Sequence, residues 1–214
     1  MKFKSALPYA GLVVLAIAAG IVTGHYVFPS RHAPPRPQTT ALLLHDAKPL
    51  PAFALTDTDG KPFTQQSLMG HWSFLYFGYT HCPDACPTTL SALDHMMAAL
   101  AKSAGVPRPT VYFISVDPKR DEPTLLKNYA LYFNPNFVGA TGDLDALHAL
   151  TGPLGVEFSY TPASQQGNYS VNHSSFVVLV DKQGEEVAVF DPPLDPRRMS
   201  ADYRSILKYY GEPW

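Results

Sequence analysis

The sequence predicts one domain of the α/β class, built on a sheet of mixed direction that is flanked by helices. Two observations support this prediction. Short apolar runs alternate with amphipathic helical patterns along most of residues 50–214. Near the end of the chain, the run 175–180 and the run 186–190 are separated only by a short turn, which indicates an antiparallel pair.

The composition excludes several classes of protein. The chain has 214 residues with 16 Lys+Arg and 18 Asp+Glu, so its formal net charge is 16 − 18 = −2. An apolar fraction of 46% with only 16% charged residues is unlike a disordered chain. The near-neutral balance without basic runs argues against nucleic-acid binding. Two cysteines exclude a disulfide-dense scaffold and leave thiol or metal chemistry to a single pair.

The N-terminal region predicts a membrane anchor. Residues 7–28 contain no Asp, Glu, Lys or Arg, and a helix of this length spans about 33 Å, close to a hydrocarbon core of roughly 30 Å. Lys2 and Lys4 place residues 1–6 in the cytoplasm. We therefore predict one transmembrane helix over 7–28, with a cleaved signal peptide as the alternative. The absence of an Arg/Ser-rich transit peptide favours a bacterial inner membrane, with the following domain in the periplasm.

The remaining chain divides into a spacer and a domain. Residues 29–49 start with four prolines in nine residues and predict a Pro-rich linker. Within the domain, 50–214, the Asp59-Gly60 pair predicts an N-terminal β-hairpin over 53–63. Residues 158–172 are polar and rich in turn residues, and predict a loop. Further strands are predicted at 72–77, 110–116, 137–138, 175–180 and 186–190, and helices at 90–105, 122–132, from 143 onward and 195–210.

The segment 77–90 carries the most informative chemistry. It joins a buried strand to an amphipathic helix, at a strand end where open α/β sheets place their sites. Cys82 and Cys86 both precede proline, which disfavours helical backbone. We expect a turn between them, with Cys86 as the helix N-cap and Pro87 as the first helical residue. At that position the helix dipole favours thiolate over thiol.

Residue chemistry alone leaves three roles open for this pair. Two thiolates form a soft site that selects Cu(I) over hard cations. The alternatives are a local disulfide and metal-free thiol redox chemistry. Among eight histidines, His173 stands out because it directly precedes the strand 175–180. If that strand neighbours 72–77, the imidazole reaches the cysteines. A closed structural zinc site is disfavoured because it needs four ligands.

The string FGYTHCPDACPTT at 77–89 resembles the signature of the SCO/SenC family of copper-binding, thioredoxin-like proteins. The strings SVDPKRD at 115–121 and VNHSSF at 171–176 are similar to the same family. The resemblance implies a thioredoxin-like fold with an extra N-terminal β-hairpin. It also implies that Cys82, Cys86 and His173 are copper ligands. For Asp117 and Arg120 we expect no ligand role, only a polar loop after a strand.

The resemblance further implies a function. The family serves cytochrome c oxidase assembly by delivering copper to the CuA site of subunit II, by reducing the thiols of that site, or both. We therefore expect a copper metallochaperone for Cu(I) and Cu(II), with oxidase subunit II as acceptor, and leave enzymatic activity open. A further periplasmic copper chaperone or thiol reductase is a second expected partner. A thiol–disulfide oxidoreductase is the alternative, followed by a peroxide-reducing enzyme and a structural module with an inert disulfide.

Overall fold

The computed structural model of the chain describes residues 17, 20, 35–164 and 168–212. The chain divides into two compact units, Met1–Arg36 and Pro37–Trp214. Apart from Ile17 and Gly20, the predicted anchor over 7–28 lies outside the described residues. Among the residues that are described, none of the helices combines the length and apolar character needed to cross a bilayer.

The second unit alternates strands with helices, as predicted. A short 3-10 helix, Gln65–Leu68, follows the third strand. The other elements, in chain order, are β1 (Leu42–Pro49), β2 (Ala54–Asp57), β3 (Pro62–Thr64), β4 (Ser73–Gly78), α1 (Ala85–Ala101), β5 (Thr110–Ser115), α2 (Pro123–Phe133), β6 (Phe137–Thr141), α3 (Leu144–Thr151), β7 (Phe158–Tyr160), β8 (Val171–His173), β9 (Val177–Val180), β10 (Glu185–Phe190) and α4 (Pro196–Tyr209).

Eight strands form one sheet in the order β1-β10-β9-β4-β5-β6-β2-β3. The central strands β4, β5 and β6 are parallel, and the remaining pairs are antiparallel. This arrangement confirms the predicted mixed α/β class and the β2–β3 hairpin. It also confirms that β9 lies beside β4, which is the adjacency that the expectation for His173 required.

The core lies on both faces of the sheet, and β4 shows why its sequence is continuously apolar. Phe74 and Tyr76 pack on one face, in a cluster to which α1, α2 and α4 contribute. Leu75 and Phe77 pack on the other face, together with Leu147 of α3. All six residues of β4 are buried. Each large side chain stabilises the fold by about 1.5–3 kcal/mol when fully buried. The core therefore holds β4, the strand that leads into the cysteine segment, firmly in place.

The first strand, β1, was not predicted. It lies within residues 29–49, the segment interpreted as a linker, and pairs antiparallel with β10 from Leu42↔Val189 to Pro49↔Glu185. Most of its side chains are exposed or half-buried, so no apolar alternation marks it in the sequence. Just before β1, the backbone N–H groups of Thr40 and Ala41 donate to the Asp202 carboxylate. Edge pairing and polar contacts, more than hydrophobic burial, therefore fix this strand.

The prediction of a loop over 158–172 was wrong at both of its ends. Strands β7 and β8 pair antiparallel as a separate two-stranded ribbon, with Phe158 opposite His173 and Tyr160 opposite Val171. We call β7 and β8 the histidine ribbon. Each strand has three residues, too few for an alternating pattern to stand out among the polar residues between them.

Candidate metal centre

The cysteine loop, residues 79–84, connects the end of β4 to the start of α1. The helix begins earlier than predicted: Asp84 occupies the N-cap position, and Cys86 and Pro87 are its second and third residues. The expectation that Cys86 is the N-cap was therefore wrong. Proline is tolerated here because the N–H groups of the first turn have no partner within the helix. Cys82 lies outside the helix, as the turn prediction required.

Cys86 is completely buried at the point where β4 ends. Its Sγ occupies the space beside Gly78, where an added Cβ would lie 2.5 Å from that sulfur and 2.9 Å from the Phe113 ring. Such distances are far inside van der Waals contact. Glycine at position 78 is therefore needed for the thiol to approach the strand so closely.

His173, the last residue of β8, points its ring at the cysteines. Its Nε2 lies 3.5 Å from the Cys86 Sγ. On the other side of the ring, Nδ1 lies 2.9 Å from the carbonyl oxygen of Ser174, which can only accept a hydrogen bond. Nδ1 therefore donates a hydrogen bond to that carbonyl, which leaves Nε2 facing the cysteines. The Tyr79 ring meets the imidazole edge-on, with centroids 5.8 Å apart.

The two sulfurs and Nε2 all lie within 4.8 Å of one another, and no other group of this kind occurs in the part of the chain that the structure describes. Thiolate and imidazole bonds of about 2.0–2.3 Å place three trigonal donors roughly 3.5–4 Å apart. The observed spacing therefore fits one ion with small side-chain adjustments. Cys86 is buried, whereas Cys82 and His173 are half-buried, so the site faces the surface on one side.

The two thiols have opposite protonation behaviour. A hydrogen bond from the Cys86 thiol, supported by His173 and by the Cys86 backbone N–H, lowers the pKa of Cys82 to about 4. The same S–H···S contact, together with burial, raises the pKa of Cys86. The prediction that the helix start makes Cys86 the thiolate was therefore wrong. The contact with the Cys82 sulfur and burial together outweigh the helix dipole at that position, and the half-buried partner carries the charge.

Histidines expected to have no ligand role lie outside this cluster. His81 follows the loop start, and its Nδ1 lies 3.1 Å from the Thr80 hydroxyl. His71 contacts the Tyr112 hydroxyl at 3.3 Å. His148 stacks on Phe158 with centroids 4.6 Å apart.

Sequence reasoning missed the role of the β5–α2 loop, residues 117–121. Asp121 is buried and accepts hydrogen bonds from the Thr80 N–H at 2.9 Å, the Thr80 hydroxyl at 2.6 Å and the Ser115 hydroxyl at 2.6 Å. This carboxylate thereby fixes the start of the cysteine loop. The position of these charged residues in the sequence could have indicated this role. They come directly after β5, at the sheet edge where β4 also ends.

Comparisons with known proteins agree with this architecture. The sequence profile described as SCO1/SenC matches residues 44–208. The chain belongs to the SCO1/SenC family. It is 42% identical over 160 residues to the mitochondrial protein SCO2 of Saccharomyces cerevisiae, covering 74% of this chain and 52% of that relative. It is 33% identical over 182 residues to a SCO2-like protein of Rickettsia prowazekii, covering 84% and 87%.

A solved structure within the SCO1/SenC family shares the fold. The copper-bound ScoI of Bradyrhizobium japonicum matches with a TM-score of 0.65 and 35% sequence identity, covering 73% of this chain and 98% of that one. The resemblance seen in the sequence motifs is thereby confirmed, as is the thioredoxin-like fold. Cys82, Cys86, His173 and the β5–α2 loop all lie inside the segment that matches the SCO1/SenC profile.

Proposed function

We propose that this chain is a membrane-anchored copper metallochaperone that helps to assemble the CuA site of cytochrome c oxidase. In this proposal Cys82, Cys86 and His173 bind one Cu(I) or Cu(II) ion. The observation that carries it is the convergence of two sulfurs and one imidazole nitrogen within 4.8 Å. The copper-bound relative from Bradyrhizobium japonicum supports the choice of metal.

The donor set favours copper over zinc. Thiolates are soft ligands that select Cu(I), and the borderline imidazole suits Cu(II) as well. Structural zinc sites are almost always closed by four ligands, whereas the described residues supply three at this position. Because the Cys86 thiol is protonated in the free protein, binding through both sulfurs releases its proton. Copper affinity therefore falls as the pH is lowered.

The partial exposure of the site supports copper transfer. Cys82 and His173 are half-buried, so an acceptor thiol can approach the ion while Cys86 remains covered by the core. Ligands can then be exchanged one at a time, and the acceptor's cysteines replace Cys82 and His173 first.

The proposal includes a location and partners. Residues 7–28 would anchor the chain in a bacterial inner membrane, and the domain would act in the periplasm on oxidase subunit II. A periplasmic copper chaperone or thiol reductase would supply copper or electrons, because the cysteines bind metal only when reduced.

A thiol–disulfide oxidoreductase is the second candidate, and the asymmetry of the two thiols favours it. The Cys82 thiolate would attack an acceptor disulfide and form a mixed disulfide. Cys86, once deprotonated, would then attack the Cys82 sulfur and close an intramolecular disulfide. Two electrons pass to the acceptor, which leaves as a dithiol. In the structure both thiols are free, as this reduced state requires.

Copper binding by the full-length chain, reduced and purified in detergent, tests both candidates. We expect one copper per chain, lost on Cys82→Ser or Cys86→Ser and weakened on His173→Ala. His95→Ala, which alters an exposed residue of α1, is the matched control and leaves binding unchanged. Unchanged affinity in all three ligand variants would rule out the metallochaperone. Disulfide reduction that survives His173→Ala, without copper stoichiometry, would establish the oxidoreductase.

A further inference from the structure

The β5–α2 loop contains a second polar cluster that faces the histidine ribbon. Asp117 is fully buried. Its carboxylate accepts a hydrogen bond from the Tyr169 hydroxyl at 2.7 Å and forms an ion pair with the Arg120 Nε. Its backbone N–H donates to the Ser115 hydroxyl oxygen at 3.1 Å. Because this carboxylate is buried and bonded to several groups, it fixes the positions of the Arg120 and Tyr169 side chains.

The Arg120 guanidinium lies over two aromatic rings. Its central carbon lies 3.6 Å from the centroid of the Tyr169 ring and 5.6 Å from that of Tyr79. Nη1 also donates to the Tyr169 carbonyl oxygen at 2.9 Å. Stacking and a fixed fork of donors are properties of arginine that lysine does not share. Tyr169 is therefore bound through its ring, its hydroxyl and its backbone.

These contacts lie close in sequence and in space to the His173 imidazole. Tyr169 lies two residues before β8, the strand that ends at His173. The partner strand β7 is tied to the residue just before this loop, since the Tyr160 hydroxyl donates to the Val116 carbonyl at 2.6 Å. Tyr79, the second ring beside Arg120, also contacts the imidazole edge. Three contacts therefore connect the end of β5 to the histidine ribbon.

We propose that Arg120 is a positioning residue that holds the histidine ribbon so that the His173 Nε2 stays within ligand distance of the cysteines. Asp121, in the same loop, fixes the start of the cysteine loop. One five-residue segment thus sets the position of both ligand-bearing segments. The copper aspect of this inference rests on the proposed function; the placement of the imidazole does not.

A metal-free measurement tests the placement directly. In the full-length protein, Arg120→Gln should shift and broaden the NMR signals of the His173 ring and speed hydrogen exchange of the Ser174 N–H, which is bonded to the Glu157 carbonyl. Arg204→Gln is the matched control, because among the residues that the structure describes the Arg204 guanidinium donates within its own helix, to the Ser200 carbonyl. Unchanged His173 signals in a folded Arg120→Gln protein would overturn the proposal.

Arg120→Gln leaves the buried Asp117 without its cation and can therefore unfold the protein. A second variant that keeps the positive charge tests the same proposal. Arg120→Lys keeps the charge but loses the fork and the stacking. We expect its effects on the His173 signals to have the same direction and to be smaller. Parent-like signals in Arg120→Lys would show that charge alone suffices, which contradicts positioning by the stacked guanidinium.

A copper titration adds an independent readout. Competition with a chromogenic Cu(I) chelator should show about tenfold weaker binding in Arg120→Gln, a loss typical of residues that orient a ligand. In a His173→Ala background the same substitution should have no further effect, because the ligand it positions is gone. A loss that persists in that background would contradict action through His173. If His173→Ala alone changes nothing, the copper function fails, while the metal-free result still decides the positioning role.

Discussion

The two segments that form the candidate metal centre are held in different ways. The cysteine loop adjoins the hydrophobic core, where Cys86 is completely buried beside Gly78. The histidine ribbon lies outside the eight-stranded sheet: Val171 joins the core, and polar and aromatic contacts bind the ribbon to the end of β5 and the β5–α2 loop. A close-packed core resists small displacements of its side chains, whereas hydrogen bonds at the surface can break and form again. We infer that core packing fixes the buried sulfur, whereas the position of the imidazole depends on the contacts that the ribbon makes with the end of β5 and the β5–α2 loop.

The largest expected effect concerns the charge on Cys82. Its pKa is lowered to about 4, so the thiolate persists down to that pH and is protonated only below it. In Cys86→Ala the main hydrogen-bond donor is absent, and the pKa should rise toward the ordinary value near 8.5. Thiolate absorbance near 240 nm, followed against pH in metal-free protein, measures the midpoint.

The same titration compares the two segments. His173 is a weaker contributor to the low pKa of Cys82 than Cys86 is. We therefore expect His173→Ala to raise the midpoint by less than Cys86→Ala does. A larger rise in His173→Ala would reverse the assignment of the thiolate's main stabiliser.

The next effect disturbs the packing around Cys86, where the end of β4 meets the start of α1. Gly78→Ala places a Cβ 2.5 Å from the Cys86 Sγ. We expect a loss of about 1–3 kcal/mol in the free energy of unfolding, typical of an overpacked core, together with weaker copper binding. Chemical denaturation and chelator competition measure the two quantities.

Gly152→Ala is the matched control, since its added Cβ meets only the His148 carbonyl oxygen, at 3.1 Å. Its stability should change by less than about 1 kcal/mol. Equal effects of the two substitutions would mean that the space beside Cys86 is not tightly filled.

A third prediction loosens the cysteine loop through its polar anchor. Asp121→Asn replaces an oxygen that accepts from Thr80 and Ser115 with an amide nitrogen that cannot accept. We expect a stability loss of about 1.5 kcal/mol and faster hydrogen exchange of the Thr80 N–H. Asp59→Asn, at an exposed ion pair with Lys127, should leave both quantities unchanged. If hydrogen exchange becomes faster in the histidine ribbon but not at the Thr80 N–H, Asp121 does not anchor the cysteine loop.

The smallest effect loosens the histidine ribbon. Tyr169→Phe keeps the ring under the Arg120 guanidinium but removes the hydroxyl bonded to Asp117. We expect about 1 kcal/mol lower stability and a copper affinity between those of the parent and Arg120→Gln. Tyr132→Phe, on a side chain that is 83% exposed, is the control and should behave as the parent. A copper affinity as low as that of Arg120→Gln would assign the positioning to the hydroxyl instead of the stacked guanidinium.

Much of the fold was predictable because burial leaves a local pattern. The continuous apolar run of β4 reflects side chains packed on both faces, and Asp195 with Pro196 marks the start of α4 as expected. Strand β1 and the histidine ribbon were missed because contacts with distant segments hold them in place, and such contacts leave no local sequence pattern. Cys86 was misplaced by two residues at a helix start, where local rules permit more than one boundary.

The sequence by itself determined which groups are available: two closely spaced thiols, a histidine before a buried strand, and a charged segment after another. Those properties are local, since they depend on spacing and on residue type. Only the tertiary structure decided which of them meet, because strand order brings His173 to the cysteines across 87 residues of chain. It also decided which sulfur keeps its proton and which arginine contacts two tyrosine rings, since burial and contact geometry arise only when distant segments pack together.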